Sequence, residues 1–323
     1  MNILKKVREN IIKNNLIKKR DKLILGVSGG PDSIALLLLL NSLKKEFKLS
    51  LFVAHLDHML REGSSKDAKF VIRMAEKLKL PVTVGKVNIN ALSRDGGSLE
   101  ESAREERLKF FFKVARKNKA KKIALGHNLD DQAETVLMRI IRGSGMYGLS
   151  GILPKREICG YEIIRPLIGV TRKEINSYLK YKKIKPRIDA SNYQNIYFRN
   201  RIRNRLIPLL EKEYNSNIKK ILSNTAQTLA YDYDYLVVRA RRIAESKIRT
   251  ISLKKLAAAH PAMRRLIFRL QYMRLKGDLR RLTFRHIQEI EDCIARRPLN
   301  SIVFLPKGIS VVKKEKSITF RRK

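Results

Sequence analysis

Residues 23–43 decide what this chain can begin to build. Leu23-Ile24-Leu25-Gly26-Val27 is an apolar run of strand length, it breaks at Ser28-Gly29-Gly30-Pro31-Asp32-Ser33, and every residue from Ile34 to Leu40 is apolar. A strand that ends in glycines and opens straight into a helix turns loop N–H groups and the helix N-terminus toward one point, where a phosphate is stabilised. Gly29 and Gly30 let the backbone come close to it. No Lys follows the glycines, so this is not a Walker loop. Asp32 supplies a carboxylate instead, suited to a Mg²⁺ that bridges phosphates. A helix apolar nearly all round is expected to pack on a sheet.

The alternation continues downstream. Residues 1–20 read as a helix feeding the first strand; 50–54, 82–87 and 122–126 read as strands, and 66–80, 98–117 and 129–142 as helices, the last stopped by the Gly-rich tract 143–148. Residues 163–167 could form a last strand, 171–182 a helix with Thr171 as N-cap and Glu174 three residues on, and 189–200 a polar loop. Strands alternating with helices imply a parallel sheet wound by right-handed crossovers. The expected fold is therefore α/β, a parallel Rossmann-like sheet with helices on both faces. A catalytic domain is expected over 1–214, followed by a smaller, mainly helical basic domain over 215–323 in which 301–312 forms a short hairpin.

Lys and Arg number 71 against 30 Asp and Glu, a net charge of +41 in 323 residues. Solubility needs no such field, and neither does a neutral metabolite; a polyanion is the natural partner. The longest apolar run, 34–40, falls short of the roughly 20 residues that span a bilayer, and no apolar stretch follows Lys5, Lys6 and Arg8 as a secretory leader requires. A cytoplasmic protein without membrane partners is expected. Cys159 and Cys293 are too few for a disulfide framework or a four-thiolate zinc site.

Three further clusters carry chemistry. His55-Leu56-Asp57-His58 follows the second strand, where residues line the nucleotide crevice of a parallel sheet, so His55 is placed beside the adenine and ribose. In Gly126-His127-Asn128-Leu129-Asp130-Asp131-Gln132-Ala133-Glu134, the helix dipole alone accounts for acids at a helix start. Asp131 and Glu134, three apart, also share a helical face and can hold an ammonium and accept its proton. Arg104 and Arg107 are either an ordinary salt-bridged face or, if turned to the crevice, a stabiliser of phosphate charge. Arg199, Arg201, Arg203 and Arg205 beside Tyr197 and Phe198 suit an RNA backbone and stacked bases.

The hexapeptide 28–33, set between strand and helix, resembles the loop of the PP-loop ATP pyrophosphatases, which implies cleavage of ATP to AMP and pyrophosphate. Six ordered blocks, 28–33, 55–61, 101–111, 126–151, 165–174 and 189–208, together resemble the tRNA(Ile)-lysidine synthase family. That resemblance implies an adenine nucleotide alpha hydrolase-like fold and a ligase forming a carbon–nitrogen bond, with ATP and Mg²⁺ as cofactors. The implied partners are tRNA(Ile) with a CAU anticodon and free L-lysine: carbon 2 of the wobble cytosine is adenylated and then attacked by the lysine amine, so that the base pairs with A instead of G. Carried over position by position, Ser28, Gly29, Gly30, Pro31, Asp32 and Ser33 hold ATP, Asp32 holds Mg²⁺, and Asp131 and Glu134 hold the amine. Arg107 and Arg199 match arginines near the reaction centre. Longer members carry an additional C-terminal domain for which this chain has no residues left, so the short form is expected. The oligomeric state stays open, a homodimer included. The competing readings are a tRNA thiolase on the same loop, a small-molecule ligase, and a non-catalytic RNA-binding protein. The first would need cysteine to carry sulfur, and no Cys-x-x-Cys is present.

Overall fold

A strand with no period-two alternation buries both faces, and the strand at residues 22–26 does so by sending alternate residues to two different helix layers. The computed structural model describes residues 3–59, 64–88, 99–187, 197–244 and 249–322. Parts of the blocks 55–61 and 189–208 and of the expected loop 189–200, and the first residue of the expected helix 98–117, lie outside them. Two units are present, 1–230 and 231–323.

The first unit contains β1 (Lys22–Gly26), β2 (Ser50–Asp57), β3 (Val82–Lys86), β4 (Lys122–Ala124), β5 (Lys155–Ile158) and β6 (Tyr161–Ile164). They form one sheet in the order β3-β2-β1-β4-β6-β5. All neighbours are parallel except β5, which pairs antiparallel with β6. Leu23 and Leu25 of β1 face a core shared with α1 (Ile3–Lys13), α2 (Pro31–Leu43), α3 (Ser64–Lys77) and α7 (Arg172–Tyr181). Ile24, between them, faces the opposite core, where α4 (Leu99–Lys117) contributes Phe111, Val114 and Ala115. Helix α2 buries Ile34, Leu36, Leu37, Leu39 and Leu40 on every side because the sheet lies beneath it and α1 and α7 cover its back. Each such leucine stabilises the fold by roughly 1.5–3 kcal/mol relative to exposure.

The chain runs from β1 to β2 and β3 on one side and then returns to place β4 on the other, so the strand order reverses between β1 and β4. Their carboxyl ends splay into a crevice there. The glycine loop follows β1, and the turn 125–128 follows β4 into α5 (Leu129–Ile141). After α6 (Met146–Leu149) and the β5–β6 hairpin, α7 leads to α8 (Phe198–Arg201), a π-turn over Ile202–Leu206, α9 (Ile207–Glu213) and α10 (Ile218–Ile243).

The local differences from expectation have identifiable causes. Helix α1 stops at Lys13 as Asn15 turns to φ +46°, in the left-handed region that Asn tolerates better than most side chains. The expected strand 163–167 lies at Tyr161–Ile164, since Pro166 cannot continue a ladder. Its partner β5 was not anticipated. It is a polar edge strand, joined through Cys159 and Gly160 at φ +50° and +78°, the two positive values that a tight hairpin turn requires.

In the second unit the expected hairpin is β8 (Ile302–Leu305) and β9 (Ile309–Lys313), turning through Lys307 and Gly308, both at positive φ. It belongs to a four-stranded antiparallel sheet, β7-β10-β9-β8, completed by β7 (Thr250–Ser252) and β10 (Ser317–Arg322). Against this sheet pack α11 (Leu253–Ala258), α12 (Pro261–Lys276) and α13 (Phe284–Arg296), enclosing Phe268, Tyr272, Ile290 and Phe320.

Candidate active site

Two serines hold the glycine loop in shape before any ligand arrives. Ser33 Oγ donates to Gly30 O at 2.9 Å and accepts the Ser28 N–H at 3.1 Å, with Ser28 Oγ 3.2 Å away. Gly29 sits at φ +91°, where a side chain would be strained. Gly30 is the N-cap of α2, Pro31 opens the helix, and no side chain caps it. The first N–H groups of a thirteen-residue helix therefore face the crevice as an anion site.

Asp32 lies in that first turn. Its Oδ1 accepts Asn128 Nδ2 at 2.8 Å and its Oδ2 is 3.6 Å from Arg172 Nη2. Burial pushes its carboxyl up to about 6; Arg172 pulls it down and Asp131 pushes it up. A carboxylate this poorly compensated gains from a cation. Among the described residues no three His, Cys, Asp or Glu side chains converge as a metal cage. That donor set suits Mg²⁺, which is commonly held by one or two carboxylates together with substrate phosphates.

Asn128 couples the loop to the acids. Besides reaching Asp32, it accepts the Asp131 N–H on Oδ1 at 2.9 Å, while its own N–H donates to Asp131 Oδ2 at 3.1 Å, a reciprocal cap on α5. Asp131 thus does what the helix-dipole reading asks of it, and its other oxygen remains for further partners. Asp131 Oδ1 accepts Arg199 Nη2 at 3.0 Å and Arg172 Nη2 at 3.2 Å. Glu134, 1% exposed, accepts Arg199 Nε at 2.7 Å and a fork from Arg203, Nε at 2.6 Å and Nη2 at 2.9 Å. Of the four arginines at 199–205, Arg199 and Arg203 bond the acids; Arg201 instead lies over the Phe198 ring at 5.7 Å.

The other wall is basic. Burial, reinforced by the positive charge of Arg165, Arg199, Arg104 and Arg107, holds the His127 imidazole well below the ordinary histidine range. Burial and Arg107 likewise bring His58 down to about 4. The charges of Arg104 and Arg107 thus reach His127, and that of Arg107 reaches His58. Arg165 is buried with Nη1 donating to Leu153 O at 2.7 Å. Its pKa is lowered to about 10 by that burial, with Arg104 and Arg156 adding to the effect. His55 sits beneath the loop, its Nδ1–H donating to Val27 O at 2.8 Å; Nε2 is buried with no partner among the described residues.

The crevice thus gathers Asp32, Asp131, Glu134 and Arg199 into one set hydrogen-bonded through Asn128, with His55 below the loop, while Arg107 is linked to it only by its charge on His58 and His127. Sequence reasoning assigned no role to Asn128 or Arg172, and it read Arg203 as an RNA contact, whereas its guanidinium is taken up by Glu134. The four-residue spacing of Arg199 and Arg203 was a signal for the last of these. Arg172 carried none, because only the fold brings the start of α7 against α5.

A PP-loop domain family matches residues 2–210. The fold is shared with the U34-tRNA thiolase of Methanococcus maripaludis, with a TM-score of 0.57 and 20% identity over 70% of this chain and 78% of that one. The tRNA(Ile)-lysidine synthase of Clostridioides difficile is 39% identical across 98% of this chain and 70% of its own length. That of Caldanaerobacter subterraneus is 37% identical across 99% and 69%. A phosphate loop with its own aspartate, an acid pair on the helix after β4 and likeness along almost the whole length lead to one assignment: the chain belongs to the tRNA(Ile)-lysidine synthase family.

Proposed function

We propose that this chain adenylates carbon 2 of the wobble cytidine in tRNA(Ile) bearing a CAU anticodon and joins free L-lysine to it, releasing pyrophosphate and then AMP. The observation that carries this reading is the single residue Asn128, which donates to Asp32 at 2.8 Å and caps Asp131 at 2.9 Å. It ties the ATP loop to the acid pair across the crevice.

In this reading residues 28–33 hold the phosphates of ATP. Asp32 holds Mg²⁺, which when bound offsets the charge of the departing pyrophosphate. The cytosine carbonyl oxygen bonds to the α-phosphorus as the α–β phosphate bond breaks, and Arg107 and Arg199 stabilise the charge on the transferred phosphate. The lysine amine, held by Asp131 and Glu134, loses a proton and attacks carbon 2; the carbon–oxygen bond breaks and AMP leaves. An amine of ordinary pKa about 10.4 must be deprotonated first, which gives the paired acids a task beyond binding. We assign catalysis to 1–214 and the body of the tRNA to 215–323, where Arg239, Arg241, Arg242, Arg264 and Arg265 supply positive charge. No described helix is long and apolar enough to cross a membrane, and the substrates place the reaction in the cytoplasm.

The test is incubation with ATP, labelled lysine and unmodified tRNA. Label is expected on the wobble cytidine, and its absence there refutes the reading. Asp131→Ala and Glu134→Ala should raise the lysine requirement while ATP–pyrophosphate exchange persists. Loss of exchange with normal lysine dependence contradicts their role.

A further inference from the structure

The three arginines around the acid pair do not hold it in the same way. Arg203 grips Glu134 with a fork, at 2.6 and 2.9 Å. Arg172 leans toward the phosphate loop, with Nη2 3.2 Å from Asp131 Oδ1 and 3.6 Å from Asp32 Oδ2. Arg199 alone gives one short N–H bond to each acid, to Glu134 Oε2 at 2.7 Å and to Asp131 Oδ1 at 3.0 Å. A single cation shared between these two carboxylates is what an amine site requires, and a guanidinium is already there.

Charge makes the same point. Asp32, Asp131 and Glu134 carry three negative charges against three positive ones on Arg172, Arg199 and Arg203. An ammonium entering this set meets no net attraction and must displace a buried ion pair, which is costly when one partner is left uncompensated. Without Arg199 the set carries one negative charge, which matches one ammonium. The charge of Arg199 also reaches His127, as do those of Arg165, Arg104 and Arg107.

We propose that Arg199 is an exchangeable occupant of the amine site. It sits between Asp131 and Glu134 until phosphate in the crevice draws it away, and lysine then enters. Arg203 and Arg172 stay behind as positioning residues that hold the two acids apart and oriented. Substrate order follows: the nucleotide precedes the amine, and the free enzyme binds lysine poorly. The inference rests on the reading of Asp131 and Glu134 as the amine site and adds what controls access to it.

Calorimetric titration of L-lysine into the full chain tests this. Arg199→Gln should tighten lysine binding to the nucleotide-free protein by roughly 5- to 150-fold, the usual range for coupled sites. In the unsubstituted protein, saturating α,β-methylene-ATP with Mg²⁺ should tighten it in the same direction, and lysine should tighten the analogue by the same factor. Unchanged or weaker lysine binding in Arg199→Gln, with the thermal transition retained, overturns the proposal. So does an unsubstituted protein whose lysine affinity ignores the analogue, a measurement that needs no variant to fold. Arg203→Gln should raise the lysine KM and leave ATP–pyrophosphate exchange in place, with partial recovery in Arg203→Lys; equal loss of both activities overturns its positioning role. Adding Asp131→Asn to Arg199→Gln separates the two levels. If lysine binding is indifferent to it, the amine-site reading itself fails; if lysine binding depends on Asp131 but not on Arg199, only the exchange fails.

Discussion

Gly126 lies in the turn between β4 and α5, and a β-carbon added there would stand 3.0 Å from the carbonyl carbon and oxygen of Asp32 and 3.1 Å from the Ser33 nitrogen. These approaches are tighter than a β-carbon ordinarily makes, so in Gly126→Ala the turn and the loop must part by a few tenths of an ångström. Neither side yields easily. The neighbours are backbone atoms in the first turn of α2, and the next turns of that helix are buried on every side. Overpacking of this kind costs about 1–3 kcal/mol, which for a unit of this size lowers Tm by roughly 2–12 °C. A comparable cost falls on catalysis, because functional groups tolerate displacements of only about 0.5 Å and an error near 1 Å can cost on the order of 100-fold. ATP–pyrophosphate exchange in Gly126→Ala should fall by roughly 10- to 100-fold with the thermal transition still cooperative. Gly169→Ala is the control, since a β-carbon there meets nothing within 4 Å. A Gly126→Ala protein with exchange within about twofold of the parent and an unchanged Tm would refute the claim that turn and loop are in rigid contact.

Four other outcomes follow from the same structure. Because the loop works with Asp32 ionised, exchange at low Mg²⁺ should decline as the pH falls through about 6, and added Mg²⁺ should move that decline to lower pH by competing with the proton. A carboxyl raised from 3.8 to about 6 on folding favours the folded state most when protonated and loses that contribution as the pH rises through about 6; Asp32→Asn should therefore melt higher than the parent at pH 7–8, and a lower Tm there argues against this account. Arg239 and Arg242 are exposed on α10, with Arg239 6.0 Å from the Tyr235 ring, and Arg239→Gln with Arg242→Gln should reduce the salt slope of tRNA binding by up to about 2; an unchanged slope removes them from the RNA contact. Cys159 is exposed in a hairpin turn and burial in the second core raises the Cys293 thiol, so Cys159→Ser with Cys293→Ala should keep lysine transfer intact, whereas loss of activity would reopen the thiolase chemistry.

The catalytic sheet was legible because its signals are local. An apolar strand, a glycine break and an all-apolar helix in 23–43 leave few alternatives, and repetition of strand and helix restricts the sheet to parallel pairing. The same locality kept Asp131 and Glu134 on one helical face and placed Asp32 in the first turn of α2. The short strands of the second unit were less visible: β7 has three residues, and β10 ends in Arg321 and Arg322, so neither shows a pattern long enough to read. The π-turn at Ile202–Leu206 has no sequence signal either.

By itself the sequence determined the phosphate loop, the alternation that builds the crevice, the acids on the helix after β4, and a charge that calls for a polyanion. These properties follow from residues within a turn or two of one another and from composition. Only the tertiary structure decided which cations meet those acids. Arg172, Arg199 and Arg203 lie roughly 40 to 70 positions beyond Asp131 and Glu134 in the chain, and no periodicity relates residues that far apart. Their convergence depends on how α7, α8 and the π-turn pack against α5, so the two carboxylates legible in the sequence prove to be part of a charge-balanced set with an arginine bonded to both.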